Sequence, residues 1–229
     1  MYDELKQQVC DANLDLQKYG LAVFTWGNVS GIDRGHGVIA IKPSGVSYEQ
    51  LTPESIILVD LQGNVVEGDL RPSSDTPTHL ELYRSFPGIG GICHTHSLYA
   101  TMWAQAEREI PCFGTTHADY FYGPVPVTDK LTRDEVAGPY EQNTGRVIVR
   151  RFAKIDPLEM PAVLVANHGP FTWGKDPAHS VENAVVLEQV AMMAYGTLIV
   201  NARQNAISQA LLDRHYLRKH GKDAYYGQR

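Results

Sequence analysis

Two histidines sit two residues apart behind a short apolar run, in Gly90-Gly91-Ile92-Cys93-His94-Thr95-His96-Ser97. Residues two apart in a β-strand share a face. The imidazoles of His94 and His96 therefore project to one side, and Cys93 and Thr95 to the other. A second apolar run ends the same way, in Val163-Leu164-Val165-Ala166-Asn167-His168-Gly169-Pro170. Three neutral imidazoles that leave one position open suit a catalytic transition metal, zinc first. An HxH pair alone fits equally well two histidines that hydrogen-bond at a strand end.

The chain has 229 residues, enough for a sizeable core. Its net charge of −6 gives none of the basic excess that a nucleic-acid surface needs. The basic segment with Arg214, Arg218, Lys219 and Lys222 reads as a solvated helix face, or more sharply as a positive funnel for a small anion. Cys10, Cys93 and Cys112 form no CxxC, which suggests reduced thiols and a cytoplasmic protein. Cys93, facing away from the imidazoles, reads as packing. The polar, acidic N-terminus is no signal peptide. The longest nearly uncharged run, residues 190–200, is too short to span a bilayer, so no membrane partner is expected.

Along the chain, Leu5, Val9, Leu14 and Leu16 fall near helical spacing and predict an amphipathic helix over 3–17. Residues 21–30 read as a strand closing on Gly27-Asn28, and 38–41 as a shorter one. Thr52-Pro53-Glu54 opens a short helix. Residues 56–66 read as a hairpin around Gln62-Gly63-Asn64. The polar loop 71–77 opens a helix to about Phe86, where Ser and Asp serve as caps or as part of an anion site. Ser97 caps a further helix. Residues 111–128 are loop-like and contain the polar cluster 115–120. Residues 132–154 stay ambiguous, because Val147-Ile148-Val149 favours a strand while its surroundings permit a helix. Two short strands flank His168. A long helix starts at Asp176-Pro177 and runs to about 200, and a last one covers about 204–220. Strands interleaved with helices predict one α/β domain over 1–229, with a mixed, mostly antiparallel central sheet covered by helices in three α/β/α layers.

Seven stretches in order along nearly the whole chain resemble the class II aldolase family of sugar-phosphate enzymes, and within it the L-ribulose-5-phosphate 4-epimerase branch. They are Thr-Trp-Gly-Asn-Val-Ser (25–30), Lys-Pro-Ser-Gly (42–45), Pro-Ser-Ser-Asp-Thr (72–76), His-Thr-His-Ser (94–97), Gly-Thr-Thr-His-Ala-Asp-Tyr (114–120), His-Gly-Pro-Phe (168–171) and the two-part ending Arg-Lys-His-Gly, Ala-Tyr-Tyr-Gly-Gln (218–228). The resemblance implies that His94, His96 and His168 bind one Zn2+ per subunit, with Asp75 as the carboxylate beside the metal. Aldolases of the family usually carry Glu there, so Asp75 points to the epimerase branch. The same likeness assigns the substrate phosphate to Gly27, Asn28, Ser44, Gly45, Ser73 and Ser74. It assigns acid/base roles to Asp119 and Tyr226, and it implies a homotetramer whose active sites lie between subunits, so that Asp119 and Tyr226 reach the metal from a neighbouring chain. Mn2+ or Co2+ also suits such a site.

The implied reaction is zinc-dependent epimerisation at C4 of L-ribulose 5-phosphate to D-xylulose 5-phosphate, serving arabinose or ascorbate use. C4 is not adjacent to the carbonyl, so inversion calls for breaking and remaking the C3–C4 bond, with a proton carrier on each face. The near alternative is a class II sugar-phosphate aldolase, and the remote one a non-catalytic zinc-binding protein. Without the resemblance, Tyr226 reads as a packing aromatic near a terminus and Asp119 as a turn cap. Trp26 and Trp173 read as core or sheet-edge aromatics. His117 is expected behind the reacting groups and His215 as a contributor, while His36, His79, His179 and His220 are expected to be surface or structural.

Overall fold

The computed structural model describes residues 2–226. The chain runs α1 (Asp3–Lys18), β1 (Gly27–Asp33), β2 (Val38–Ile41), β3 (Ile57–Asp60), β4 (Val65–Glu67), α2 (Thr76–Ser85), β5 (Gly91–Thr95), α3 (Leu98–Gln105), α4 (Thr115–Ala118), α5 (Arg133–Ala137), α6 (Tyr140–Arg151), β6 (Ala162–Leu164), β7 (Pro170–Gly174), α7 (Pro177–Val200) and α8 (Gln209–His220), with short 3-10 turns at Tyr48–Gln50 and Pro53–Ser55. The strands form one seven-stranded sheet in the order β4-β3-β2-β1-β5-β7-β6. Every ladder between them is antiparallel. The only parallel pairing among the described residues is an isolated bridge between Val127 and Leu164.

Alternation along the strands divides the core. Ile39, Ile41, Ile57, Val59, Ile92, Phe171 and Trp173 turn to one face, where α2, α3 and α6 contribute Leu80, Trp103 and Ile148. Val38, Ala40 and Leu58 turn to the other, against Val9 and Cys10 of α1. Val29 and Cys93 join that face beside Leu16 and the start of α7. The three-layer α/β/α expectation thus holds, and Cys93 packs away from His94. The three thiols are free and buried. At Gly91 a side chain has no room: its Cβ would lie 2.4 Å from the carbonyl carbon and oxygen of Asp176 at the head of α7.

Several expectations shift. Residues 21–26 are not strand. Phe24 takes a left-handed backbone (φ 53°), and Trp26 and Gly27 donate back to the Val23 and Thr25 carbonyls, so a turn overrides β-propensity and pairing begins at Gly27. Trp26 is accordingly exposed rather than in the core, and so is Leu14. Residues 147–149 lie within α6, where Val147 and Ile148 face inward. The last helix begins at Gln209, capped by Ser208, rather than near 204. The uncharged run 190–200 is the end of the 24-residue helix α7, which is long and apolar enough to cross a membrane by length and composition alone. Here it packs on β5, β7, α1 and α3.

Two buried histidines make the fold acid-sensitive. Burial lowers His79 to about 3, partly opposed by Asp75. Burial lowers His117 to about 4, partly opposed by its hydrogen bond to Gly123. In the unfolded chain both take up protons below about pH 6.5. Stability is therefore unaffected above that pH and falls below it, by about 1.4 kcal/mol per pH unit for each group, levelling off through about 4 and then about 3. Urea denaturation of metal-free protein should show a lower midpoint at pH 5 than at pH 7.5, and His117→Gln should reduce that difference. Equal midpoints would contradict the account.

Candidate metal centre and cavity

The site forms at one edge of the sheet. Because β1 runs antiparallel to both β2 and β5, its start lies beside their ends. The register sets Asn28 opposite His94 and His94 opposite Phe171. His168 occupies the turn between β6 and β7, behind Asn167 in a left-handed conformation (φ 61°). Gly169 lets that turn approach β5, since a Cβ there would lie 2.8 Å from the Thr95 carbonyl oxygen.

His94, His96 and His168 each offer a ring nitrogen, and these atoms lie within 4.8 Å of one another. The ring of His94 is stacked on Phe171, with centroids 4.1 Å apart. His94 Nδ1 donates to the Pro170 carbonyl at 2.9 Å. A carbonyl only accepts, so Nδ1 carries a proton and Nε2 is the nitrogen that faces the other imidazoles. His96 Nε2 stands 3.2 Å from it. Burial, followed by the neighbouring imidazoles, lowers His168 to about 3; burial and then His94 lower His96. Both are neutral donors at physiological pH. Three imidazoles with one nitrogen fixed by a backbone carbonyl match what a divalent transition metal requires, so the residues present fit the group.

Asp75 precedes α2 and lines the same cavity. Its carboxylate does not cap the helix but accepts from Asn28 Nδ2 at 2.6 Å. Burial raises its pKa, yet His94, His79, the Asn28 amide and His168 together outweigh that and hold it below the usual carboxylate range. Ser73 Oγ accepts the Asp75 amide instead. The cavity, of about 780 Å³, is also lined by Gly27, Asn28, Ser44, Gly45, Ser73 and Ser74. All six positions read from the resemblance as phosphate contacts thus share one space with the histidines.

Asp119 and Tyr226 line a different cavity of about 460 Å³, which has no lining residue in common with the first. Asp119 follows α4 and pairs with His215 and Arg218 of α8, at 3.0 and 2.8 Å. Tyr226 is exposed. Gly227 and Gln228 of the terminal motif lie outside the described residues. His117 turns inward and donates from Nε2 to the Gly123 carbonyl, so it does not support Asp119. His79 is fully buried, with Nδ1 on Ser30 Oγ at 2.7 Å. His36 pairs with Asp33 at the surface.

Sequence reasoning missed Lys42, Tyr140 and the inner face of α3. Lys42 is largely buried in the wall of the cavity, over the Tyr48 ring, and burial lowers its pKa. Its Nζ donates to the Val46 and Pro43 carbonyls, closing the loop that carries Ser44 and Gly45. Lys42 lay inside a quoted motif, so a signal existed. Tyr140, whose hydroxyl is 3.4 Å from His168 Nδ1, lay in the ambiguous segment and had none. Leu98, Thr101, Met102 and Gln105 line the cavity at helical spacing.

Residues 7–195 match the class II aldolase and adducin N-terminal domain, and the chain belongs to that family. Among solved structures it is similar to an L-fuculose 1-phosphate aldolase, at 25% identity, covering 95% of this chain and 96% of that one with a TM-score of 0.75. It is also similar to YgbL of Klebsiella pneumoniae, described as "a putative aldolase/epimerase/decarboxylase", at 25% identity, with coverage of 92% and 97% and a TM-score of 0.73. The L-fuculose-1-phosphate aldolase of Thermus thermophilus shares the fold at 22% identity, with coverage of 89% and 100% and a TM-score of 0.70.

The metal reading predicts that His168→Ala weakens zinc binding by more than about 100-fold, since loss of supporting contacts alone costs 10–100-fold. Dye-competition titration of the purified variant measures it. Wild-type affinity in the variant would remove His168 from the ligand set.

Proposed function

We propose that the protein is a zinc-dependent L-ribulose-5-phosphate 4-epimerase, converting that ketose phosphate to D-xylulose 5-phosphate. The observation that carries the reading is the sharing of one cavity by the histidine set, the Asp75 carboxylate and the Ser/Gly lining at 44–45 and 73–74. Asp75 at a position where aldolases usually carry Glu favours the epimerase over the aldolase. Asp119 and Tyr226 lie together in the second cavity, which supports their pairing. Their separation from the histidines within one chain supports a site completed by a second copy, in a homotetramer. α7 leaves Met193, Ile199 and Val200 exposed, apolar surface of the kind that copies of a chain cover.

In this reading the hydroxyls and amides at 44–45 and 73–74 hold the substrate phosphate. Neutral donors suit a fragment that must pivot. One acid/base group takes the proton from the C4 hydroxyl, the C3–C4 bond breaks, and its electron pair stays on the three-carbon unit. A bound divalent ion supplies Lewis-acid stabilisation of that charge, worth several kcal/mol. The two-carbon aldehyde, still held by its phosphate, turns its other face. The electron pair of C3 re-forms the bond, and the second group delivers a proton to the new C4 oxygen. Asp119 and Tyr226 serve as these two carriers.

Purified zinc-loaded protein incubated with L-ribulose 5-phosphate should form D-xylulose 5-phosphate, and a chelator should abolish turnover. Asp119→Asn and Tyr226→Phe should retain zinc and lose about 10²–10⁴-fold in kcat, the range for general acid–base groups. Normal turnover in both would remove them from the chemistry. The second reading, a class II aldolase, is favoured by the fuculose-phosphate aldolase similarity; release of free aldehyde in the same assay would select it.

A further inference from the structure

Asp119 and Tyr226 stand on different elements, one at the end of α4 and the other in the tail after α8. Arg218 and Lys219 touch both, and Arg218 makes the closer and bidentate contact with the carboxylate. Arg218 donates from Nη2 to both carboxylate oxygens of Asp119, at 2.8 and 2.9 Å, and from Nε to Oδ1 at 3.2 Å. The same guanidinium lies over the ring of Tyr226, 4.9 Å from its centroid. The Arg218 backbone carbonyl also accepts the amides of Tyr225 and Tyr226, at 3.0 and 3.2 Å. The tail thus folds back onto the last turns of α8.

The surrounding groups fit a built arrangement. Lys219 approaches Asp119 Oδ2 at 3.6 Å and lies over the rings of both Tyr226 and Tyr120, at 4.6 and 4.5 Å. His215 Nδ1 reaches Asp119 Oδ1 at 3.0 Å, and His220 Nε2 donates to the Asp119 backbone carbonyl at 3.0 Å. Glu182 of α7 lines the same cavity, and burial, followed by the charge of Glu182, raises the Tyr120 phenol. Burial raises the Asp119 carboxyl, but hydrogen bonds from Arg218 and His215 and the charges of Lys219 and Arg218 outweigh it, and the net shift is downward. The side chains of Asp119, His215, Arg218 and Lys219 are all partly buried.

We propose that Arg218 is a positioning residue that holds Asp119 and Tyr226 as one unit, so that the two proton carriers keep a fixed separation when they meet the sugar. A planar fork fixes both carboxylate oxygens and presents a flat face to the phenol ring, two tasks a lysine cannot do together. The inference rests on the acid/base reading above. It explains why a side chain near the C-terminus can act in chemistry that needs defined geometry: the tail is anchored through the same residue that orients its partner.

The test uses the full-length, zinc-loaded protein with Arg218→Met and Arg218→Lys. Three quantities are measured: the Asp119 carboxyl titration by 13C NMR, amide exchange at Tyr225 and Tyr226, and kcat and KM against pH. Arg218→Met should move the Asp119 titration to higher pH and carry the acid limb of kcat with it. It should speed tail exchange and lower kcat by about tenfold or more, the scale of losing a charge-assisted pair, with KM changed by less than about threefold. Arg218→Lys keeps the charge but loses the fork, so the Asp119 titration should move less than in Arg218→Met, while the rate loss and the faster tail exchange persist. Arg218→Lys at wild-type rate and tail protection would overturn the proposal, as would Arg218→Met with an unmoved acid limb. Failure of wild-type protein to turn over L-ribulose 5-phosphate would contradict the epimerase reading instead; the carboxyl titration and amide exchange then decide the role of Arg218 without turnover.

Discussion

The interior strand β5 carries the site because it is paired on both sides. Its ladders to β1 and β7 set Asn28, His94 and Phe171 in one row across the sheet. That row fixes the amide that holds Asp75, the first imidazole, and the aromatic ring on which that imidazole stacks. The turn bearing His168 closes onto the same strand only because Gly169 brings no side chain against the Thr95 carbonyl. A one-residue slip in either ladder would turn His94 to the α1 face, so the histidine set depends on register before it depends on any property of imidazole.

Much of this was legible in the residues. The two-residue spacing of His94 and His96 gave their shared face, and the apolar run before His168 gave the β6–β7 hairpin. The motif resemblance gathered the Ser, Gly and Asn positions that line the cavity. What could not be read was set by contacts distant in sequence. Residues 21–26 have strand composition, but the left-handed Phe24 turns them into a loop. Val147-Ile148-Val149 has strand propensity, yet its inward positions pack as helix against α2. Tyr140 reaches His168 only through that helix, so no local pattern announced it. Lys42 was visible as part of a motif, but its burial in the cavity wall follows from the loop it closes.

The same contrast separates the two halves of the proposed machinery. The histidine cavity is built from strand ends and is rigidly specified by the sheet. The Asp119–Tyr226 pair is built from a four-residue helix, α8 and a short tail, and its order comes from charge: a carboxylate, a guanidinium and a phenol ring packed together. On the proposed reading each construction is half of a site, presented to its complement on another copy of the chain. In that proposal sheet register defines where the sugar phosphate is held, and the ionic cluster defines where its protons go.

That claim has a direct test in mixed oligomers. His96→Asn and Asp119→Asn each disable a different half of the proposed site. The account predicts that protein made by co-expressing the two variants regains epimerase activity well above the sum of the separately purified variants, because some interfaces combine an intact histidine cavity with an intact Asp119–Tyr226 pair. A mixture no more active than that sum, in oligomers shown to contain both chains, would contradict a site shared between copies.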